Sequence, residues 1–468
     1  MKLTVSEIMA ACQAKGDLRP HPDAVVTSVT SDSRAVTPGT LFCCLPGSRA
    51  DGHDFAAQAA SQGAAAILAA RELPEISQAP VLPPVLVVED VMKAMGLLAR
   101  FWRRRTRATV AALSGSAGKT TAKEFLAAIA KHLAPSIKNP GNYNNQLGLP
   151  LSMLAAEDEH RLWVLELGIS RQGDMEELAA ICEPDLAVVH NIGPAHLEGL
   201  GDLAGVGRAK AAVFGFVRRG GACLASADYP ELWAAAKAIR PDVLAMSTRD
   251  ETAPFFCSFK GCNPDGRGIY HLALQGEVFD VVLPCRGEHL AENVLAAAAA
   301  ANVLGATPQQ VSLGLAEAEI PSRRFDVRDE DGFTVIDDTY NANPLSMKAA
   351  IDSARGIAGE RPLVLVLGEM GELGSEADLA HEDLGQCIAR GGCQVVFFKG
   401  PKAVHVERGL KSGGFAGSFH PVDTPEEFAQ RLDAFRGGEG TVLFKGSRSQ
   451  RMEDFLERFL ASVREGKR

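Results

Sequence analysis

No stretch of this sequence has the roughly 18 uninterrupted apolar residues that a membrane-spanning helix requires. The alanine-rich segment after Leu295 is only weakly apolar and contains Asn302. The first residues, Met1-Lys2-Leu3-Thr4-Val5-Ser6-Glu7, lack the apolar run of a signal peptide. A basic excess is also missing: the formal net charge is -10, which disfavours a general nucleic-acid or membrane-surface binder. Ten cysteines are present, but no paired spacing of the kind that binds zinc. Cys43 and Cys44 are adjacent, and Cys257 and Cys262 lie five apart. Free thiols in a reducing compartment are therefore expected. Together these absences indicate a cytoplasmic protein without a membrane span and without a nucleic-acid partner.

The 468 residues are enough for two to four domains at roughly 100–200 residues each. Hydrophobic residues make up 46% and charged residues 23%, so several cores can be filled. The fold class expected is α/β in three domains, 1–104, 105–319 and 320–468. The first mixes short apolar runs (Leu41 to Leu45, Val85 to Val88) with an alanine-rich helical stretch from Phe55 to Ala70. It closes with a helix that uses Val91, Met95, Leu98 and Trp102 on one face. Arg103, Arg104 and Arg105 follow and read as a solvated helix end whose cations complement the helix dipole. In the second domain, strand runs at Thr109–Leu113, Leu162–Leu167, Leu186–Val189 and Ala222–Ala225 alternate with helical patterns, which implies a mostly parallel, doubly covered sheet. A helix is expected from Glu288 to Leu304, ended by Gly305. The third domain repeats the alternation around Leu363–Leu367, Val395–Phe398 and Thr441–Phe444, as a smaller Rossmann-like unit.

One segment carries chemistry. The strand Thr109–Leu113 runs into Gly115-Ser116-Ala117-Gly118-Lys119-Thr120, and a helix follows with Phe125, Leu126, Ile129 and Leu133 on one side. Glycines let successive backbone N–H groups turn onto phosphates, and the helix N-terminus adds positive potential. Lys119 suits the β/γ-phosphates of ATP and the Thr120 hydroxyl suits Mg²⁺. The general phosphate-loop pattern would put glycine at 113, where Leu113 stands, so this is a shorter form of that loop. Glu166 ends the apolar run Leu162–Leu165, where a parallel sheet places strand ends beside the loop. It reads either as a metal carboxylate or as a capping, surface glutamate.

Read with its neighbours, the loop resembles that of the Mur ligases, which add amino acids to the peptide stem of the bacterial cell-wall precursor. Asn139 to Pro150, with Asn144 and Asn145, resembles that family's asparagine turn, and Glu166 falls on its metal glutamate. Ala195-His196-Leu197-Glu198 and Ala209-Lys210 match its histidine and its carbamylated lysine. Asp337-Asp338-Thr339-Tyr340-Asn341-Ala342-Asn343-Pro344, Gly368 to Gly374 and Lys445-Gly446-Ser447-Arg448 resemble the member that adds D-alanyl-D-alanine to UDP-N-acetylmuramoyl-tripeptide. The third-residue ligases, a related alternative, carry an Asp-Asn-Pro-Arg signature that is absent here; a folate polyglutamate ligase is another relative, and a phosphate-loop regulator is a rival of another class. Two departures stand out: Pro321-Ser322-Arg323 where the family has Pro-Gly-Arg, and Gly368-Glu369-Met370 where Gly-Asp-Met is common.

The resemblance implies ATP as cosubstrate, two Mg²⁺ ions and a monomer acting on the tripeptide precursor and D-alanyl-D-alanine. It implies ATP contacts at Gly115, Ser116, Ala117, Gly118, Lys119, Thr120, Thr121, Asn293, Arg323 and Asp338. Metal ligands would be Thr120, Glu166, His196 and a carbamylated Lys210, with Lys119, His196 and Lys210 catalytic. Substrate contacts would be Ser33, Arg34 and Arg49 at the UDP end, with Asn144, Asn145, Asn341, Ser447 and Arg448 elsewhere.

Overall fold

The computed structural model describes residues 1–18, 23–47, 50–73, 76, 82–432 and 439–465. Among them the strands form four sheets. A small antiparallel pair joins Leu3–Thr4 to Val25–Val26. A parallel sheet follows in the order Ser28–Thr30, Thr40–Cys43, Ala66–Ala69, Val85–Val87. The alanine-rich stretch from Phe55 to Ala70, expected to be helical throughout, is a short helix, Ala56–Ser61, followed by the buried strand Ala66–Ala69. Gly63, at φ +89°, turns the chain between them, a conformation that costs a residue with a side chain.

The central sheet has nine strands. In order they are Glu277–Leu283, Gly268–Leu274, Phe255–Cys262, Leu244–Ser247, Ala222–Ser226, Leu186–Val189, Thr109–Ser114, Leu162–Glu166 and Ser136–Lys138. From Phe255–Cys262 to Ser136–Lys138 every pairing is parallel. The first three strands form an antiparallel extension that periodicity did not reveal. One sheet face packs on the helices Lys119–Ala130, Ala291–Val303 and Pro308–Ala316. Ala296 to Ala301 are all fully buried, so this helix is apolar all round because it is an interior element. The C-terminal sheet runs Asp326–Glu330, Phe333–Asp338, Gly440–Lys445, Leu363–Gly368, Val395–Lys399, Ser418–Pro421, parallel except for its first pair.

The cores divide unevenly. One apolar cluster runs without a break from Met1 and Leu3 through Met95 and Trp102 to Val110, Trp163 and Leu178, so the N-terminal and central parts share it. The C-terminal sheet has clusters of its own on its two faces. Arg103, read from sequence as solvated, is instead fully buried where the shared core closes. Its guanidinium donates to Cys182 O at 3.0 Å and Ala108 O at 2.9 Å, and pairs with the Asp185 carboxylate at 2.6 Å. Only Arg104 and Arg105 keep the exposed position, paired with Glu183 and Glu7. With Glu183 O, which also accepts from it, three carbonyls and a carboxylate thus converge on this cation. Arg103→Ala should lower unfolding free energy by about 2–4 kcal/mol, reduced from the fully buried case because Asp185 is partly exposed. Urea denaturation showing wild-type stability for that variant would refute the bridging role.

Candidate active site

The phosphate loop leaves the strand Thr109–Ser114 in mid-sheet and enters the helix Lys119–Ala130 through Gly118. Gly118 has φ +73°, and a Cβ there would lie 2.0 Å from Asn293 Oδ1, so both conformation and space require glycine. The loop is tied down from below. Asn191 Oδ1 accepts from the N–H groups of Ser116 at 2.9 Å and Ala117 at 3.0 Å. His190 Nε2 meets Ala117 O at 2.8 Å, and Lys119 Nζ donates to Gly115 O at 2.9 Å. Thr120 and Thr121 are buried in the first helical turn.

Glu166 ends the neighbouring strand, in register with Leu113. One carboxylate oxygen accepts from Asn144 Nδ2 at 2.6 Å; the other is buried with no partner. An orphaned buried carboxylate oxygen is costly unless a cation meets it. Asn139 fixes the backbone here, accepting from Glu166 N at 2.9 Å and donating to Glu166 O at 3.0 Å. Lys123 anchors that turn by donating to Asn139 O at 2.8 Å and Gly141 O at 3.0 Å. Asn145 caps the next helix instead, through Gly148 N at 2.9 Å.

Lys210 is buried on the helix Leu203–Ala211. Burial first, and then the Lys119 charge, push its pKa well below that of a free lysine, while Glu166 opposes them. Lys119 is lowered by burial and by Arg324, again opposed by Glu166. Two lysines therefore share one carboxylate. His196, at φ +55°, contacts the Glu372 carboxylate through Nδ1; its pKa is lowered by burial and by both lysines, with Glu372 opposing. Among the described residues no three His, Cys, Asp or Glu side chains converge as a self-contained metal site. The donors present, a hydroxyl and a carboxylate with an idle oxygen, fit Mg²⁺, which takes few protein ligands and completes its shell with water and phosphate.

The C-terminal domain reaches this site. Asn343 Nδ2 donates to Ser116 O at 3.1 Å, Glu372 meets His196, and His289 Nδ1 contacts Ser353 Oγ at 2.6 Å. Arg323 pairs with Glu453 at 3.1 Å. Its neighbour Arg324 is the arginine whose charge acts on Lys119 and Asp338, and it lies 3.9 Å from the Tyr340 ring centroid. The sequence marked Arg323; the residues on either side of Arg324 are both left-handed, at φ +63° for Arg323 and +58° for Phe325, and this turn is invisible in sequence. Asp338 is half-buried, accepting from Lys445 Nζ at 2.5 Å and Phe325 N at 3.1 Å. Ser447 Oγ accepts from Gly371 N at 2.7 Å and donates to Ala342 O, binding two loops together. Arg448 pairs with Glu453, and Lys445 Nζ holds Asn341 O at 3.0 Å.

The remaining sequence-marked positions lie in the N-terminal sheet region. Ser33 Oγ donates to Gln58 Oε1 at 3.0 Å. Arg34 is largely exposed and pairs with Asp32 at 2.8 Å. Arg49 lies outside the described residues. Asn191, Glu292 and Arg324 were given no role by the sequence, and Glu372 and Lys445 were marked only as parts of motifs; each acts through partners far away in the chain.

His190 gives the site a pH signature. Burial, then the charges of Lys119 and Lys210, bring it down from an ordinary 6.5 to about 4, against its bonds to Ala117 and Ser114. An unfolded chain takes up this proton near 6.5 and the folded chain only near 4, so stability is lost as pH falls through that window. The loss reaches about 3 kcal/mol at the acid end. His190→Gln keeps an N–H for Ala117 O and should flatten this slope in unfolding measured between pH 7 and 4; an unchanged slope would refute the assignment.

Comparisons with known proteins agree with this geometry. The description "Mur ligase family, catalytic domain" matches residues 25–103, "Mur ligase middle domain" matches 113–301, and "Mur ligase, glutamate ligase domain" matches 323–448. The chain is 35% identical over 437 residues to the UDP-N-acetylmuramoyl-tripeptide--D-alanyl-D-alanine ligase of Escherichia coli (strain K12), covering 93% of this chain and 94% of that protein. Its structure resembles that of MurF from Acinetobacter baumannii, with a TM-score of 0.87 at 29% identity over 98% of this chain and 99% of that one. It also resembles MurF ligase from Thermotoga maritima in complex with ADP, with a TM-score of 0.82 at 30% identity over 94% of this chain and 98% of that one. Three family descriptions along residues 25–448 and a relative 35% identical over 93% of the chain therefore stand beside this geometry, and the protein belongs to the Mur ligase family.

Proposed function

We propose that this chain is the ATP-dependent ligase that joins D-alanyl-D-alanine to UDP-N-acetylmuramoyl-tripeptide, in the cytoplasm where both nucleotides are found. The observation that carries this reading is the 35% identity to such a ligase over 93% of the chain. Residues 1–104 hold the UDP end, 105–319 hold ATP, and 320–468 close over ATP and the amine. Arg34, exposed and paired only locally, fits the pyrophosphate.

A carboxylate is a poor acyl donor because its leaving group would be oxide. The terminal carboxylate of the tripeptide therefore attacks the γ-phosphorus of ATP; a new C–O–P linkage forms and ADP leaves. The neutral amine of D-alanyl-D-alanine attacks the acyl carbon, forming the C–N bond of a tetrahedral adduct; the adduct loses the extra proton from nitrogen to solvent and collapses, the C–O bond to phosphate breaks, and phosphate leaves. The first step brings anions together, so charge neutralisation and positioning dominate. Lys119 serves the β/γ-phosphates, Arg324 takes the nucleotide role that the sequence pattern gave to Arg323, and Asn293 offers its amide to the adenine edge. Asp338, with Lys445, holds the turn that carries Arg324. Thr120 and Glu166, and at a second position His196 and Lys210, would hold Mg²⁺, which when bound would supply Lewis-acid neutralisation of the transferring phosphate.

Lys210 reads as a carbamate. Its buried amine sits within the field of Lys119, which disfavours a second ammonium. The neutral nitrogen adds to CO₂, forming an N–C bond and releasing a proton, and the anionic oxygens then suit a hard cation.

ADP release should require UDP-N-acetylmuramoyl-tripeptide and D-alanyl-D-alanine together. Turnover with a diamino acid on the dipeptide precursor instead would overturn the assignment. Lys119→Ala should lose about 10²–10³ in rate or more, read in the same assay. Lys210→Ala should be inactive and partly restored by short carboxylic acids; full activity without them would exclude the carbamate.

A further inference from the structure

Beneath the phosphate loop lies a hydrogen-bonded chain to which the reading above gives no part. Tyr229, at the N-terminus of the helix Pro230–Ile239, donates its hydroxyl to Glu292 Oε1 at 2.6 Å. Glu292 Oε2 accepts from Asn191 Nδ2 at 2.9 Å. Asn191 Oδ1 accepts from Ser116 N and Ala117 N, and its Nδ2 also donates to Ala117 O at 3.1 Å. An asparagine amide can face either way unless its surroundings decide. Here they decide completely: the carboxylate and a carbonyl face its NH₂, and two N–H groups face its oxygen. A reversed amide would oppose donor to donor and oxygen to oxygen in an interior where Asn191 is 3% exposed.

The consequence falls on ATP. Ser116 and Ala117 spend their N–H groups on Asn191, which leaves those of Gly118, Lys119 and Thr120 at the helix N-terminus for phosphate. Glu292 also begins the helix whose next residue, Asn293, packs against Gly118. Two consecutive side chains of one helix therefore grip the loop, one directly and one through Asn191.

We infer that Glu292 is a positioning residue for nucleotide binding: braced by Tyr229, it locks the Asn191 amide and so presets the phosphate loop. This rests on the ATP-binding role of that loop. The measurement is ADP and ATP affinity by calorimetry on the full chain, which does not depend on which amine is ligated, with KM and kcat measured alongside. Glu292→Gln keeps size but can satisfy only one of the two donors. It should weaken ADP and raise the KM for ATP about tenfold, with the KM for the UDP substrate and the thermal midpoint near wild type. Tyr229→Phe should shift nucleotide affinity in the same direction by less, and the double variant should fall short of the sum. Wild-type nucleotide affinity in Glu292→Gln would overturn the inference. So would equal losses for both substrates accompanied by a lowered thermal midpoint, since these mark a role in folding alone. Failure of wild type to bind ADP would instead strike the ATP reading itself.

Discussion

A buried lysine, a half-buried lysine and a buried carboxylate set the terms for the rest of this molecule. Lys119 and Lys210 both feel Glu166, and each disfavours positive charge on His190 and His196. Such a cluster is expensive to assemble, because desolvation outweighs mutual attraction unless additional hydrogen bonds complete it. Much of the surrounding architecture supplies that completion. The parallel sheet brings Leu113 and Glu166 into register, Asn139 clamps the glutamate backbone, and Lys123 holds the turn that carries Asn139. The site is a set of charged groups held in place by a rigid frame, a preorganised setting for a reaction that brings a carboxylate to a polyphosphate.

Local features were legible in the sequence, and long-range ones were not. The strands before the loop and before Glu166 announced themselves as apolar runs, and the structure has Thr109–Ser114 and Leu162–Glu166 there. The loop was readable because glycine, lysine and threonine at that spacing have few other uses. Arg103 was misread because its partners, Cys182 and Asp185, lie some eighty residues away. The alanine-rich stretch after Phe55 was misread because alanine suits a helix locally, whereas pairing with Thr40–Cys43 decides for a strand. Arg324 escaped because a pair of left-handed residues, and not a residue type, aims it. Asn191 and Glu292 escaped because each is ordinary until the other is in place.

The uneven division of the cores separates two kinds of attachment. The N-terminal and central parts are welded through shared apolar burial, whose strength scales with area and lacks direction. The C-terminal domain keeps its own apolar interior and meets the loop through directional polar contacts, Asn343 to Ser116, Glu372 to His196 and His289 to Ser353. Polar contacts exchange readily with water, so their net contribution is modest.

That asymmetry sets a timescale. An acyl phosphate is consumed by water as well as by an amine, so yield depends on how long the lid stays shut relative to how fast the amine attacks. A lid glued by apolar surface would hold products as firmly as reactants. One fastened by separate polar contacts and the small ring contact between His289 and Phe325 can release within each turnover, and its dwell time can be tuned by a single residue such as Asn343 without disturbing any core. Under the proposed function, the contacts between the C-terminal domain and the loop thus act as a timer, its setting written in a handful of hydrogen bonds.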